Sequence, residues 1–271
     1  MPEGHTLHRL ARLHRKLFVG RPVAVSSPQG RFAASAELLD GEVMTAAEAH
    51  GKHLFHRYGR DRVVHVHLGL YGTFAEAALP APEPRGQVRM RLVGADHYAD
   101  LRGPTACELL TGAEARAIRG RLGADPLRPD ADPEQVWQRI SRSRSPVATL
   151  LMDQSVLAGV GNVYRAELLF RHGVDPQLPG RELDRATWDA MWPDLVALMR
   201  DGVRRNRIDT VRPEHDPRRR GQVARNDRHG GEVYVYRRAG MPCLVCGTGV
   251  NHSAHAGRNL FWCPVCQPAH G

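Results

Sequence analysis

The chain has 271 residues, 42% of them hydrophobic, which is enough to bury a core, excludes a disordered polymer and predicts two domains with a small appendage. Its formal net charge of +9 points to a polyanionic partner, and no apolar run approaches the roughly 18 residues that a membrane span needs. Five cysteines, four of them in two close pairs, exclude a disulfide-rich secreted scaffold and predict a soluble protein of the cytoplasm.

The chain opens Met1-Pro2-Glu3-Gly4. Loss of the initiator methionine would free the secondary amine of Pro2, a nucleophile whose neutral form is well populated near pH 7 because α-amino groups titrate at about 7.7 to 8.0. Attack on a sugar C1′ would give a cationic iminium, and Glu3 could supply the accompanying acid or base. The same tetrapeptide also suits the plain opening of a helix. Leu7, Leu10, Leu13, Leu17 and Phe18 then recur at helical spacing up to Gly20-Arg21-Pro22. From Val23 to about Leu101, short alternating apolar runs separated by Gly, Pro and Asp predict β-strands packed as a sandwich. Within this region stands Lys52, one of two lysines among 36 arginines. Lysine can shift its pKa and move a proton where arginine cannot, although a survivor of compositional drift toward arginine would look the same.

Residues 120–133, with Pro126 and Pro129, read as a linker, and 133–141, 147–157, 162–170 and 187–206 as helices. Gly159 and Gly161 allow a tight turn before a helix that begins at or near Asn162, a position suited either to capping or to holding an anion. Residues 209–231, with Arg218, Arg219 and Arg220, read as a basic loop, functional or merely solvated. From Arg200 onward thirteen arginines face six acids, so seven of the nine net positive charges lie in the last quarter. There Cys243 and Cys246, then Cys263 and Cys266, form two C-x2-C knuckles that predict a closed tetrahedral four-thiolate site, with zinc favoured over iron. Such a site staples a hairpin too small for its own core, and its loop can present Arg258 to a phosphate. Cys107 stands alone and reads as a packed thiol. The expected division is 1–120, 132–231 and 232–271.

Five segments, in this order, resemble the formamidopyrimidine-DNA glycosylase and endonuclease VIII family over essentially the full length. They are Met1-Pro2-Glu3-Gly4; Gly51-Lys52-His53-Leu54; Asp153-Gln154 with Gly159, Gly161, Asn162 and Tyr164; Gly221-Gln222-Val223; and the four-cysteine finger with Gly257-Arg258. The resemblance implies an α+β multidomain fold: an N-terminal β-sandwich with an N-terminal helix, a helix-two-turn-helix domain and a zinc-finger hairpin. It implies a DNA glycosylase and abasic-site lyase that removes a damaged base and cleaves the strand by β,δ-elimination. Pro2 would be the Schiff-base nucleophile, Glu3 the proton donor to the sugar and Lys52 a further catalytic lysine. Asn162 and Arg258 would hold phosphates, and one structural zinc would be the only cofactor.

Leu70 and Tyr71 match two of the three residues of the Gln-Leu-Tyr stretch with which endonuclease VIII relatives fill the gap left by an extruded base. Gly69 replaces the Gln, and Thr6 stands where many relatives carry another Glu. Leu70 and Tyr71 also suit ordinary strand-end packing. The resemblance leans to the endonuclease VIII branch and so to oxidised pyrimidines, with the protein acting as a monomer on damaged duplex, bubble or single-stranded DNA of the nucleoid, away from membranes. Two competing classes are a noncatalytic zinc-containing protein that recognises damaged or branched DNA, which retention of Met1 would favour, and an RNA-binding zinc ribbon, which leaves Pro2, Glu3 and Lys52 unexplained.

Overall fold

Helix α1 (Gly4–Phe18) buries Leu7, Leu10, Ala11, His14 and Phe18, a three-and-four spacing that makes one apolar stripe, and the chain then turns at Gly20 with φ +82°. Strands β1 (Ala24–Ser26), β2 (Met44–His50), β3 (His53–Tyr58), β4 (Arg62–His67), β5 (Thr73–Ala78), β6 (Val88–Val93), β7 (His97–Arg102) and β8 (Ala106–Leu110) follow, with the short helix α2 (Ala33–Glu37) after β1. They form two four-stranded antiparallel sheets, β1-β6-β7-β5 and β2-β3-β4-β8. The computed structural model describes residues 2–221, 231–255 and 257–269, and groups the chain into two compact units, Met1–Arg121 and Leu122–Gly271.

In the first unit, period-two alternation sends Leu54, His56 and Tyr58 of β3 inward and Phe55 to the opposite face. The inner residues join Leu7, Leu10, Phe18, Val64, Val66, Leu92 and Leu101 in one core. Helix α3 (Gly112–Gly120), not anticipated from sequence, starts from a Thr111–Glu114 capping box and covers Phe55 and Val63 with Ala115. The strands also run past Leu101 to Leu110. Inside the core, His14 of α1 bonds His56 of β3 at 2.9 Å and Glu76 of β5 at 3.2 Å, so one buried imidazole ties the helix to both sheets.

The second unit contains α4 (Pro133–Ile140), α5 (Val147–Leu150), α6 (Asn162–Arg171), α7 (Arg185–Arg205) and the hairpin β9 (Asn251–His255) with β10 (Arg258–Trp262). The helix expected over 147–157 stops at Leu150. Beyond it side chains capture the backbone: Asp153 Oδ1 accepts from Ser155 N at 2.8 Å, and Gln154 accepts from Gly159 N at 3.0 Å while donating to the carbonyls of Met152 and Val160. Helices and hairpin share one core, in which Tyr164, Trp188 and Leu195 join Val250, Leu260, Phe261 and Cys263. A hairpin of this size cannot dry a core of its own, which is why it leans on α6. Among the described residues no helix is long and apolar enough to cross a membrane.

Candidate active site, nucleic-acid contacts and metal centre

Pro2 is half-buried just ahead of α1, and Glu3 is fully buried in the N-cap position, where the peptide dipoles favour a negative charge. Met1 lies outside the described residues. Lys52 occupies a two-residue hairpin turn between His50 and His53, with Gly51 supplying φ +57°. Three bonds fix how α1 lies on this hairpin: Gly20 N to Met44 O at 2.8 Å, Arg15 to Ala47 O at 3.0 Å, and His14 to His56. The helix is therefore antiparallel to β2. From His14 back to Glu3 it rises about 16 Å at 1.5 Å per residue, against about 10 Å of strand from Ala47 to His50, so the Pro2-Glu3 end reaches the level of the Lys52 turn.

His53 pairs with His67 at the exit of β4, so the segment carrying Leu70 and Tyr71 leaves from the same end of the unit. Leu70 is 51% exposed and Tyr71 84%, so Tyr71 has little of the packing role that their sequence context also allowed. Gly69, at φ +67°, explains the missing Gln: a Cβ there would collide with the Thr105 hydroxyl, and one at Gly72 would collide with the Leu68 carbonyl. The tip thus presents two large side chains between two positions that only glycine can fill.

Sequence reasoning missed the histidines around Lys52. His53 Nδ1 bonds His65 Nε2 at 2.8 Å, His65 Nδ1 bonds Glu108 Oε1 at 2.8 Å, and His67 packs on His53 with ring centroids 4.9 Å apart. Burial, reinforced by His65, His67, His50 and Arg121, pushes His53 down to about 3. Burial likewise lowers His67, with His65 and the Lys52 ammonium adding to the effect. Alternation in β3 and β4 was visible, but nothing in it showed that these imidazoles bond one another.

In the second unit Asn162 is the first residue of α6, and Gly161 holds the cap position without a side-chain bond. The Asn162 side chain is buried: Nδ2 donates to Asn259 O at 2.9 Å, and Oδ1 accepts from Arg165, which also reaches Asn259 O at 3.1 Å. Arg258, exposed at the start of β10, adjoins this carbonyl. Glu167 of α6 is fully buried and accepts from the backbone N–H groups of Tyr234, Val235 and Tyr236 at 2.6, 2.9 and 2.8 Å. It pins the chain just after residues 222–230, which lie outside the described residues together with Gln222 and Val223 of the expected motif.

The sulfur atoms of Cys243, Cys246, Cys263 and Cys266 all lie within 4.8 Å of one another. Cys243 and Cys266 are 3.9 Å apart and Cys246 and Cys263 3.5 Å, close to the edge of about 3.8 Å that a tetrahedron with 2.3 Å zinc–sulfur bonds requires. N–H groups of Val245 and Cys266 point at sulfurs of the set, as suits thiolates. The four cysteines can therefore hold a zinc ion. Cys107 packs against the first unit's core, and burial pushes its thiol up to about 12.

Comparison with known proteins agrees with this arrangement. Residues 1–107 match the formamidopyrimidine-DNA glycosylase N-terminal domain and 122–212 the formamidopyrimidine-DNA glycosylase H2TH domain. The chain is 59% identical to Endonuclease 8 1 of Mycobacterium tuberculosis, over 98% of this chain and 100% of that protein. It is 37% identical to the probable endonuclease 8 2 of Streptomyces coelicolor, over 98% and 94%. In fold it resembles the Lactococcus lactis Fpg in complex with DNA containing an abasic site, at a TM-score of 0.78 and 20% identity, covering 98% of this chain and 100% of that one. The chain belongs to the formamidopyrimidine-DNA glycosylase and endonuclease VIII family, the DNA glycosylases of base excision repair that also cleave abasic sites.

Proposed function

We propose that this protein excises oxidised bases, pyrimidines foremost, from damaged duplex DNA and cleaves the abasic strand by β,δ-elimination through a Schiff base on Pro2. One observation carries the reading: the Pro2-Glu3 head of α1, the Lys52 turn and the exposed Leu70-Tyr71 tip gather at one end of the first unit. With Met1 removed, the Pro2 nitrogen attacks C1′, Glu3 protonates the opening sugar, and Lys52 assists the eliminations. Leu70 and Tyr71 occupy the gap left by the extruded base, whose rotation costs a few kcal/mol. Arg258 holds a backbone phosphate, and Asn162 both fixes the strand bearing Arg258 and offers the remaining N–H of its amide to a phosphate. A single structural zinc on Cys243, Cys246, Cys263 and Cys266 shapes this finger and takes no part in the reaction. The protein acts as a monomer on nucleoid DNA, with bubble and single-stranded DNA as further substrates.

Borohydride trapping tests the proposal, using duplexes that carry 5-hydroxyuracil, 8-oxoguanine or an abasic site, with peptide mapping of the adduct. The expected adduct lies on Pro2 of a chain lacking Met1, with 5-hydroxyuracil excised faster than 8-oxoguanine opposite cytosine. An adduct on another amine removes Pro2 from its role, and the reverse lesion order moves the protein to the 8-oxoguanine branch. No adduct from zinc-loaded protein lacking Met1 favours a binding-only protein.

A further inference from the structure

Glu108, on β8, is half exposed, and its carboxylate can only accept a hydrogen bond. Since it accepts from His65 Nδ1, that nitrogen carries the proton of a neutral ring and His65 Nε2 must be the acceptor. His53 Nδ1 then carries the proton of the next bond, which leaves His53 Nε2 as a bare lone pair. Among the described residues this nitrogen has no hydrogen-bond partner and is not sealed from solvent. It belongs to the residue that follows Lys52. The groups facing the chain are His50 from β2, Lys52 from the turn, His67 from β4, and Arg119 and Arg121 from the end of α3, with Arg119 paired to Glu48 at 2.8 Å. Burial first, then His65, His67, His50 and Arg121 at His53 and Arg121 at His65, disfavours an imidazolium on either ring, while Glu108 favours one on His65.

We propose that His53, His65 and Glu108 form a proton relay that opens beside Lys52 and discharges protons from the lyase reaction to solvent. The inference rests on the abasic-site lyase reading. Each elimination takes one proton from a sugar carbon; the C–H electron pair forms the new double bond, and the phosphate leaves with the C–O pair. A proton released from the site enters at His53 Nε2, the proton on His53 Nδ1 moves to His65 Nε2, and the proton on His65 Nδ1 moves to Glu108, which gives it to water. Concerted transfer never requires a doubly protonated ring, so the pull comes from the terminal carboxylate and not from His53 itself. Once the DNA has left, Glu108 takes a proton from water and returns it to His65 Nδ1, His65 Nε2 returns one to His53 Nδ1, and His53 Nε2 gives its proton to water, which resets both tautomers.

Two variants test it, Glu108→Gln at the half-exposed end and His65→Phe, which keeps the stacked ring but cuts the chain. Single-turnover cleavage of a preformed abasic duplex in dilute buffer should slow about tenfold in each, within the range expected of proton-transfer groups. Added imidazole should restore the rate by taking the proton directly, while borohydride trapping and the melting midpoint of Glu108→Gln stay at wild-type values. A full rate in Glu108→Gln, or a loss that imidazole does not rescue, overturns the relay. If the wild-type protein itself gives no trapped adduct, the lyase reading has failed, and the relay falls with it.

Discussion

The side chain of Asn162 donates to the backbone carbonyl of Asn259 at 2.9 Å, tying the first turn of α6 to the strand that begins with Arg258. The bond brings Asn162 and Arg258, 96 positions apart in sequence, to one corner of the second unit, the corner proposed above to hold phosphate.

This pair predicts two different binding defects. Arg258→Ala removes a cation, so DNA affinity should fall and the slope of log K against log salt should shrink by about one. Asn162→Ala removes the bond to the Asn259 carbonyl and deprives the buried Arg165 of its Oδ1 acceptor, at a cost of about 1 to 3 kcal/mol, and should weaken binding with the salt slope intact. Fluorescence anisotropy across a salt series reads both, and an unchanged slope in Arg258→Ala removes that residue from phosphate contact.

At the exposed tip, Tyr71→Ala should leave stability within about 0.5 kcal/mol, since an 84% exposed side chain packs on little, yet slow base excision. Gly69→Gln, which restores the residue of the relatives, should instead destabilise by about 1 to 2 kcal/mol, because φ +67° and the Thr105 hydroxyl exclude a Cβ. Urea unfolding beside single-turnover excision separates the two effects. A melted Tyr71→Ala would show that the tip is structural.

Acid should unsettle the first unit earlier than its carboxylates alone would. His53, His56, His65 and His67 all have folded-state values lowered from 6.5, by burial first, and His53 stands at about 3. Between about 3 and 6.5 the unfolded chain therefore binds more protons than the folded one. Stability is full above about 6.5 and falls with pH below it, by up to roughly 1.4 kcal/mol per pH unit for each histidine. The urea midpoint followed by far-ultraviolet circular dichroism should drop between pH 7 and pH 5 and stay flat from 7 to 8. A midpoint that is level from 5 to 7 contradicts the assignment.

Metal removal should disturb more than the finger, because Cys243, Cys263, Leu260 and Phe261 sit in the same core as Tyr164 and Trp188. Cys263→Ser should release zinc and lower the thermal midpoint of the second unit by several degrees, as expected when folding energy comes from the bound ion. Elemental analysis and tryptophan fluorescence check this, and a wild-type metal content would refute the four-thiolate site.

Much of the candidate site was legible because its signals are local. The C-x2-C pairs, the Pro2-Glu3 opening and the Gly159–Gly161 turn depend on chemistry and chain geometry within a few residues, and the helical spacing of Leu7, Leu10 and Phe18 carried α1 for the same reason. The short α5 was not legible, since a hydrophobic run does not reveal that Asp153 and Gln154 will take the backbone bonds a longer helix needs.

The amino-acid sequence by itself determined the family, the sandwich, the thiolate set and the identity of the candidate nucleophile. Only the tertiary structure decided that Asn162 faces inward to Asn259, that Glu167 anchors residues 234–236, and that His53, His65 and Glu108 form a line. Each of these is a hydrogen bond between groups distant in the chain. Which donor meets which acceptor follows from strand register and helix packing, and sequence periodicity specifies a face without specifying its partner.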